Sequence, residues 1–256
     1  MKLVIGIPTA GKPTDPFLKS LKTLRLPAMV ESVENKTATG NFVPAQRELL
    51  AAFAQERFAD FLLMVDDDMV IPEDAIERLL RPFSDPNVGI VGALCYSRDG
   101  LRPMAVVDWD SNDTTGAAIP AFDEGTPTEV AGVGFGLAVV RVQAYAAFAQ
   151  PLFPVHIYVE KSCARVRVCN EDFLFCKRLR ENGWKVLLHP GVRCGHYDRD
   201  TGQIYPIEWE AAEETGHRRM MVRNADGSIG RPPFDASVGR AQETHVRADV
   251  EYILAD

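Results

Sequence analysis

The chain has 256 residues, 46% hydrophobic and 25% charged, enough to bury the core of one large globular domain. Its formal net charge of −8 argues against nucleic acid as a partner, because a phosphate backbone is repelled overall. No apolar run approaches the roughly 18 residues that span a bilayer. Met1 leads straight into a strand rather than a signal-peptide core, so no leader is expected.

Five cysteines (95, 163, 169, 176 and 194) form no paired framework and read as reduced thiols of a cytoplasmic protein. Cys169, Cys176, Cys194 and His196 lack paired C-x-x-C knuckles, which disfavours a zinc site.

In chain order, residues 2–8 read as a buried strand ended by Pro8, followed by a polar loop and a short helix over 16–24. "PAMVESVE" (27–34) reads as a second strand and "NKTATGN" as a loop. From Pro44 the apolar period becomes helical through Ala45, Leu49, Leu50, Phe53 and Phe58. "DFLLMV" (60–65) has the continuous apolar character of a central parallel strand. "PEDAIERLLRPF" (72–83) places Pro first, acids early and Arg late, which predicts a helix; "VGIVGALCY" (88–96) is another buried strand. This alternation implies an α/β fold, a mostly parallel sheet with helices on both faces. Residues 97–128 read as loop-rich, 129–148 as a glycine-broken strand leading to a helix, and 170–183 as a helix stopped by Gly183. "WKVLLHPGV" reads as the next strand. A domain over 1–204 is expected, with 205–256 as a tail packed on it, containing a helix near 207–222.

The segment "FLLMVDDDMVIP" (61–72) drives a buried strand into three consecutive aspartates. In an extended segment Asp66 and Asp68 would share one side and Asp67 would point away. Ligands of open α/β sheets bind outside the carboxyl ends of the strands, where this triplet lies. Converging carboxylates need a cation, and hard oxygen ligands favour Mg2+ or Mn2+ with phosphate and water completing the shell. A strand-end turn with an acidic cap before Pro72 explains the same residues without a ligand.

Several stretches in order, "LVIGIPT", "VPAQRELLAAF", "FLLMVDDDMVIPEDAIERLL", "VAGVGFGLAVVR", "NEDFLFCKRLRENGWKV" and "CGHYD", resemble GT-A-fold, bacterial family-two-like glycosyltransferases over residues 2–198. The resemblance implies a Rossmann-like GT-A domain using a nucleotide sugar, UDP- or GDP-linked, and a divalent metal. It implies that Pro8, Thr9, Glu34 and Arg47 contact the nucleotide or donor. Asp66 would bind ribose or metal, Asp67 the donor, and Asp68 the metal directly. His196 of "CGHYD" resembles a third metal ligand, and an imidazole beside carboxylates suits Mn2+.

Asn170-Glu171-Asp172 can simply cap a helix and complement its dipole. It also resembles the family's Glu-Asp motif, which implies Asp172 as general base in inverting members and Glu171 as its acceptor-orienting partner. "GVGFG" (132–136) lacks dinucleotide spacing; the resemblance places it, Gly134 included, by the donor sugar and acceptor. Trp109, in the loop "VVDWDSND", offers an aromatic face for a sugar or simply packs. Arg231, in "GSIGRPPFD", sits in an ordinary surface loop or in a lid over a diphosphate.

The leading expectation is a hexosyltransferase-type enzyme moving sugar to an unknown acceptor hydroxyl, its stereochemistry open, with peripheral membrane contact compatible. The alternatives are a catalytically inactive sugar-nucleotide-binding protein and a nucleotidyltransferase. "PTAGKPTDP" is poor in glycine and arginine, which argues against the latter.

Overall fold

A computed structural model of the protein describes residues 1–97, 103–109, 116–118, 125–160, 165–211, 218–223 and 229–230. The first part runs β1 (Lys2–Thr9), α1 (Asp15–Thr23), β2 (Ser32–Thr39), α2 (Val43–Glu56), β3 (Phe61–Val65), β4 (Met69–Val70), α3 (Ala75–Leu80) and β5 (Val88–Leu94). A 3-10 turn, Arg81–Ser84, extends α3. Next come β6 (Ala105–Trp109), β7 (Gly116–Ala118), β8 (Thr128–Glu129), β9 (Gly132–Val133) and β10 (Leu137–Arg141). The chain continues through β11 (His156–Glu160), β12 (Arg165–Cys169), α4 (Glu171–Glu181), β13 (Lys185–Arg193), β14 (Gly195–Tyr197), β15 (Ile204–Ala211), β16 (Arg218–Arg223) and β17 (Ile229–Gly230).

The main sheet has the order β2-β1-β3-β10-β5-β13-β8. Strands β2, β1, β3, β5 and β13 share one direction; β10 is antiparallel to both β3 and β5, and β8 is antiparallel to β13. The sheet is therefore mostly parallel, as the alternation predicts. The glycine-broken strand enters between the two parallel groups in reverse.

Side-chain alternation divides the core into two. Val4, Leu62, Met64, Val140 and Leu188 pack with Leu50 of α2 and Phe175 of α4. Leu3, Ile5, Leu63, Val65 and Val139 pack on the opposite face with Phe17 of α1 and Leu79 of α3. Each such side chain, fully buried, contributes about 1.5–3 kcal/mol, so the sheet is held rigidly between helix layers. That rigidity fixes the strand ends from which the site is built.

Three sequence-based assignments need correction. The second strand is displaced to Ser32–Thr39, because pairing with β1 along its whole length compensates for a polar, largely exposed sequence. Where a helix near 207–222 was expected, the described residues, 207–211 and 218–222, lie in strands: β15 pairs with β14 and β16 in a second sheet, β17-β16-β15-β14-β4. A Glu- and Ala-rich sequence looks helical locally, yet backbone pairing across the sheet prevails. The segment around Trp109 is not a loop: β6 pairs with β7 and β9.

Candidate active site

The three aspartates follow β3, whose buried apolar residues hold the strand in the sheet's centre. They form a turn, with Met69 N donating to Asp66 O at 3.3 Å, so extended alternation does not apply to them. Their carboxylates take three directions instead. Asp66 faces Arg47, Asp67 faces Thr9 and Arg199, and Asp68 faces His196. All three line a cleft of about 470 Å³, together with Pro8, Thr9 and Gln46.

Asp67 is the structural member. Thr9 Oγ1 donates to its Oδ2, and Arg199 donates to Oδ1 at 3.0 Å. Its backbone carbonyl accepts from Thr14 N at 3.0 Å and Thr14 Oγ1 at 3.2 Å. Thr14 also caps α1 by accepting from Phe17 N. One residue thus ties the end of β1, the start of α1 and the segment after β14 to the cleft floor.

Asp68 is buried, and β4 explains its neighbour. Met69 of β4 pairs with His196 of β14, which sets the imidazole beside Asp68 with Nε2 3.4 Å from Oδ2. The other ring nitrogen, Nδ1, lies 2.8 Å from the carbonyl oxygen of Tyr96. A carbonyl only accepts, so Nδ1 carries the hydrogen. Nε2 then presents either a lone pair or a proton to a carboxylate. Two acceptors facing each other require a positive charge between or beside them, a proton or a metal ion. This donor set, nitrogen plus carboxylate oxygen with a backbone-anchored imidazole, fits a divalent cation. Among the described residues no group of three or more His, Cys, Asp or Glu side chains is gathered as a metal site, because Asp66 is turned to Arg47.

Arg47, in the first turns of α2, is almost completely buried. Its NH2 donates to both oxygens of Asp66, at 3.0 and 3.3 Å, and its NH1 donates to Glu171 Oε1. The guanidinium carbon lies 5.1 Å from the ring centre of Phe135, a cation–π distance. Gln46 is buried beside it and donates to the carbonyls of Thr9 and Gly40, at 2.7 and 2.9 Å. Those two bonds join the ends of β1 and β2 into one wall of the cleft.

Beyond Arg47 lies the second acid pair, at the start of α4. Asn170 occupies the cap position without a side-chain cap bond, contrary to the capping expectation. Asp172 Oδ1 instead accepts from Phe173 N at 2.8 Å. Asp172 is 6% exposed, and burial, with Glu171 nearby, pushes its carboxyl up to about 6 against the pull of Arg47. Burial also raises Asp66 above the ordinary carboxylate range, with Arg47 opposing the shift. Asp66 nevertheless keeps 35% of its side chain open to the cleft while protein surrounds its other sides, so water moderates that effect.

Other expected site residues lie elsewhere. Glu34 lies in the first half of β2 instead of ending the second strand, and its carboxylate pairs with Lys2 at 2.8 Å and Arg57 at 3.4 Å, outside the cleft lining. Gly134 is buried, and the close approach it permits is to Met104: a Cβ there would stand 2.8 Å from the Met104 Cβ. It serves packing at that point. The Trp109 side chain, Cys163 and Arg231 lie outside the described residues. Cys95, Cys169, Cys176 and Cys194 are buried, with no disulfide among the described residues. Gln46 and Arg199 escaped the sequence reading; their adjacency to Arg47 and closeness to His196 were the available signals.

The model of the family described as "Glycosyltransferase like family 2" matches residues 25–221. Comparison with curated protein sequences gives no match. Among solved structures, the chain is similar to A197 from STIV, with a TM-score of 0.57 at 15% identity, covering 96% of this chain and 100% of that one. It is also similar to GalNAc-T7, solved with UDP, GalNAc and Mn2+, with a TM-score of 0.52 at 14% identity. That match covers 76% of this chain and 43% of the other. Likeness at these identities shows the fold, which is GT-A. With its family model matching well over half of its length, the chain belongs to glycosyltransferase-like family 2.

Proposed function

We propose that the protein transfers a sugar from a nucleoside-diphosphate donor to an acceptor hydroxyl with the help of a divalent cation. The observation that carries this reading is the meeting of Asp68 and His196 at 3.4 Å, with His196 anchored to Tyr96, at the carboxyl end of the sheet. Asp68 and His196 would hold Mn2+ or Mg2+, and Asp66 faces the same cleft. A cation held by these residues would supply positive charge to neutralise the departing diphosphate. Pro8, Thr9 and Asp67 form the wall against which the nucleotide lies.

Asp172 fits the base. A carboxyl shifted to about 6 is ionised at neutral pH yet takes a proton more readily than an ordinary aspartate. Glu171, held by Arg47, orients the acceptor beside it. UDP- and GDP-linked sugars are the donor candidates, and the hexosyl class is the corresponding donor chemistry. No helix among the described residues is long and apolar enough to cross a membrane. A thermal-shift screen of UDP-, GDP- and dTDP-sugars with Mn2+ and with Mg2+ tests the reading. A metal-dependent rise with one donor, followed by transfer, supports it. Stabilisation with no turnover against any acceptor would favour a sugar-nucleotide-binding protein.

A further inference from the structure

We infer that Arg47 is a positioning residue through which the metal-side carboxylate Asp66 and the acceptor-side carboxylate Glu171 respond to each other. The inference rests on the proposed cation at the aspartate turn. Arg47 belongs to neither acid cluster, yet its guanidinium joins them. NH2 spans both oxygens of Asp66, whereas NH1 is taken by Glu171. The Arg47 side chain is 4% exposed and that of Glu171 11%, whereas Asp66 stays 35% open to the cleft, so the guanidinium is nearly dry while its Asp66 partner remains within reach of a ligand. Nε is buried with no hydrogen-bond partner among the described residues, and Phe135 covers the guanidinium face. Turning toward a ligand in the cleft would strand two carboxylates, a strongly unfavourable exchange. Arg47 is therefore a poor candidate for direct donor contact.

The sharing has a consequence. A divalent cation drawn to Asp66 competes for the oxygens that NH2 already holds, and Arg47 then pairs more fully with Glu171. Linkage makes the effect reciprocal: neutralising Glu171 leaves Asp66 as the carboxylate that the Arg47 fork still bonds, beside the charge of Asp172, and weakens the cation's hold. A planar fork can span the two acids, whereas the point charge of a lysine cannot.

The test is a double-mutant cycle read by Mn2+ alone, with free Mn2+ followed by electron paramagnetic resonance. Glu171→Gln is expected to weaken Mn2+ binding about fivefold in the native background and less than twofold in an Arg47→Met background, the mark of energetic coupling. Equal changes in both backgrounds overturn the inference. If Arg47→Met does not fold, Arg47→Lys takes its place with the same expectation. Absence of Mn2+ binding by the native protein would fail the metal reading instead. The clamp is then judged by unfolding temperatures of Asp66→Asn, Glu171→Gln and their combination. Loss in the double variant beyond the sum of the singles supports it, since only the double variant removes both carboxylate charges that the guanidinium bonds. Additive losses overturn it.

Discussion

The two acid clusters on either side of Arg47 have similar composition and opposite surroundings. The aspartate turn at the end of β3 opens on the cleft, and its carboxylates are distributed among Arg47, Thr9, Arg199 and His196. The pair at the start of α4 is buried, as Asp68 is, but among the described residues it has no imidazole beside it; one guanidinium stands between it and Asp66. A cleft-facing acid beside an imidazole is suited to hold a cation. A buried acid beside a like charge takes up a proton more readily than an ordinary carboxylate. The difference teaches that the role of a carboxylate follows from what it can exchange with its surroundings.

The sharpest way to break that contrast is to remove a residue from each side. Asp172→Asn is expected to lower transfer by roughly 10²–10⁴-fold, the usual worth of a general base, while metal-dependent UDP or GDP binding stays within about twofold. Full turnover in that variant would remove Asp172 as base. Asp68→Ala is expected to reverse the pattern, weakening metal-dependent nucleotide binding by about a hundredfold or more, since even outer-shell partners are worth about 10–100-fold. Calorimetric titration with Mn2+ present measures it, and unchanged binding would move the metal elsewhere.

Acidity separates the clusters next. Transfer should fall about tenfold per pH unit below about 6, as Asp172 takes up its proton, and Asp172→Asn should lose that limb. Stability should follow the same group with a defined sign. The native carboxyl titrates near 6 and an unfolded aspartate near 4, so the native state gains a proton first. Its stability contribution is fully present below about 4 and lost as pH rises through about 6, a slope that Asp172→Asn should flatten in urea unfolding curves.

Smaller effects sharpen the picture. Thr9→Val removes the hydroxyl that donates to Asp67 and accepts from Gly11 N, and is expected to cost about 1–3 kcal/mol in chemical denaturation. Glu34→Gln should leave nucleotide binding unchanged, because its exposed pairs with Lys2 and Arg57 lie away from the cleft. A measurable loss of affinity there would restore Glu34 to the site.

Much of the first hundred residues was legible because the signals are local. Continuous apolar runs at 61–65 and 88–94, and the helical period from Pro44, state their own environments. The acid turn and the acid pair were legible for a related reason, since charges abutting buried elements are conspicuous. The second strand was not. "SVENKTAT" carries almost no apolar pattern, and only its ladder with β1 makes it a strand. The stretch near 207–222 misled in the opposite way: its glutamates and alanines favour a helix in isolation, whereas its described residues belong to β15 and β16. Glu34 followed the misplaced strand to the wrong end of the sheet.

By itself the sequence determined where the backbone would alternate, where a buried strand would end in acids, and where acids would open a helix. Hydrogen-bonding period and burial are properties of neighbouring residues, so they can be read along a chain. Only the tertiary structure decided that β10 runs against its neighbours, that His196 stands beside Asp68, and that Arg47 answers to Asp66 and Glu171 together. Arg47 and Glu171 are 124 positions apart, and no local propensity encodes so distant a meeting. It exists because two helices pack on the same face of one rigid sheet and bring their first turns to a common edge.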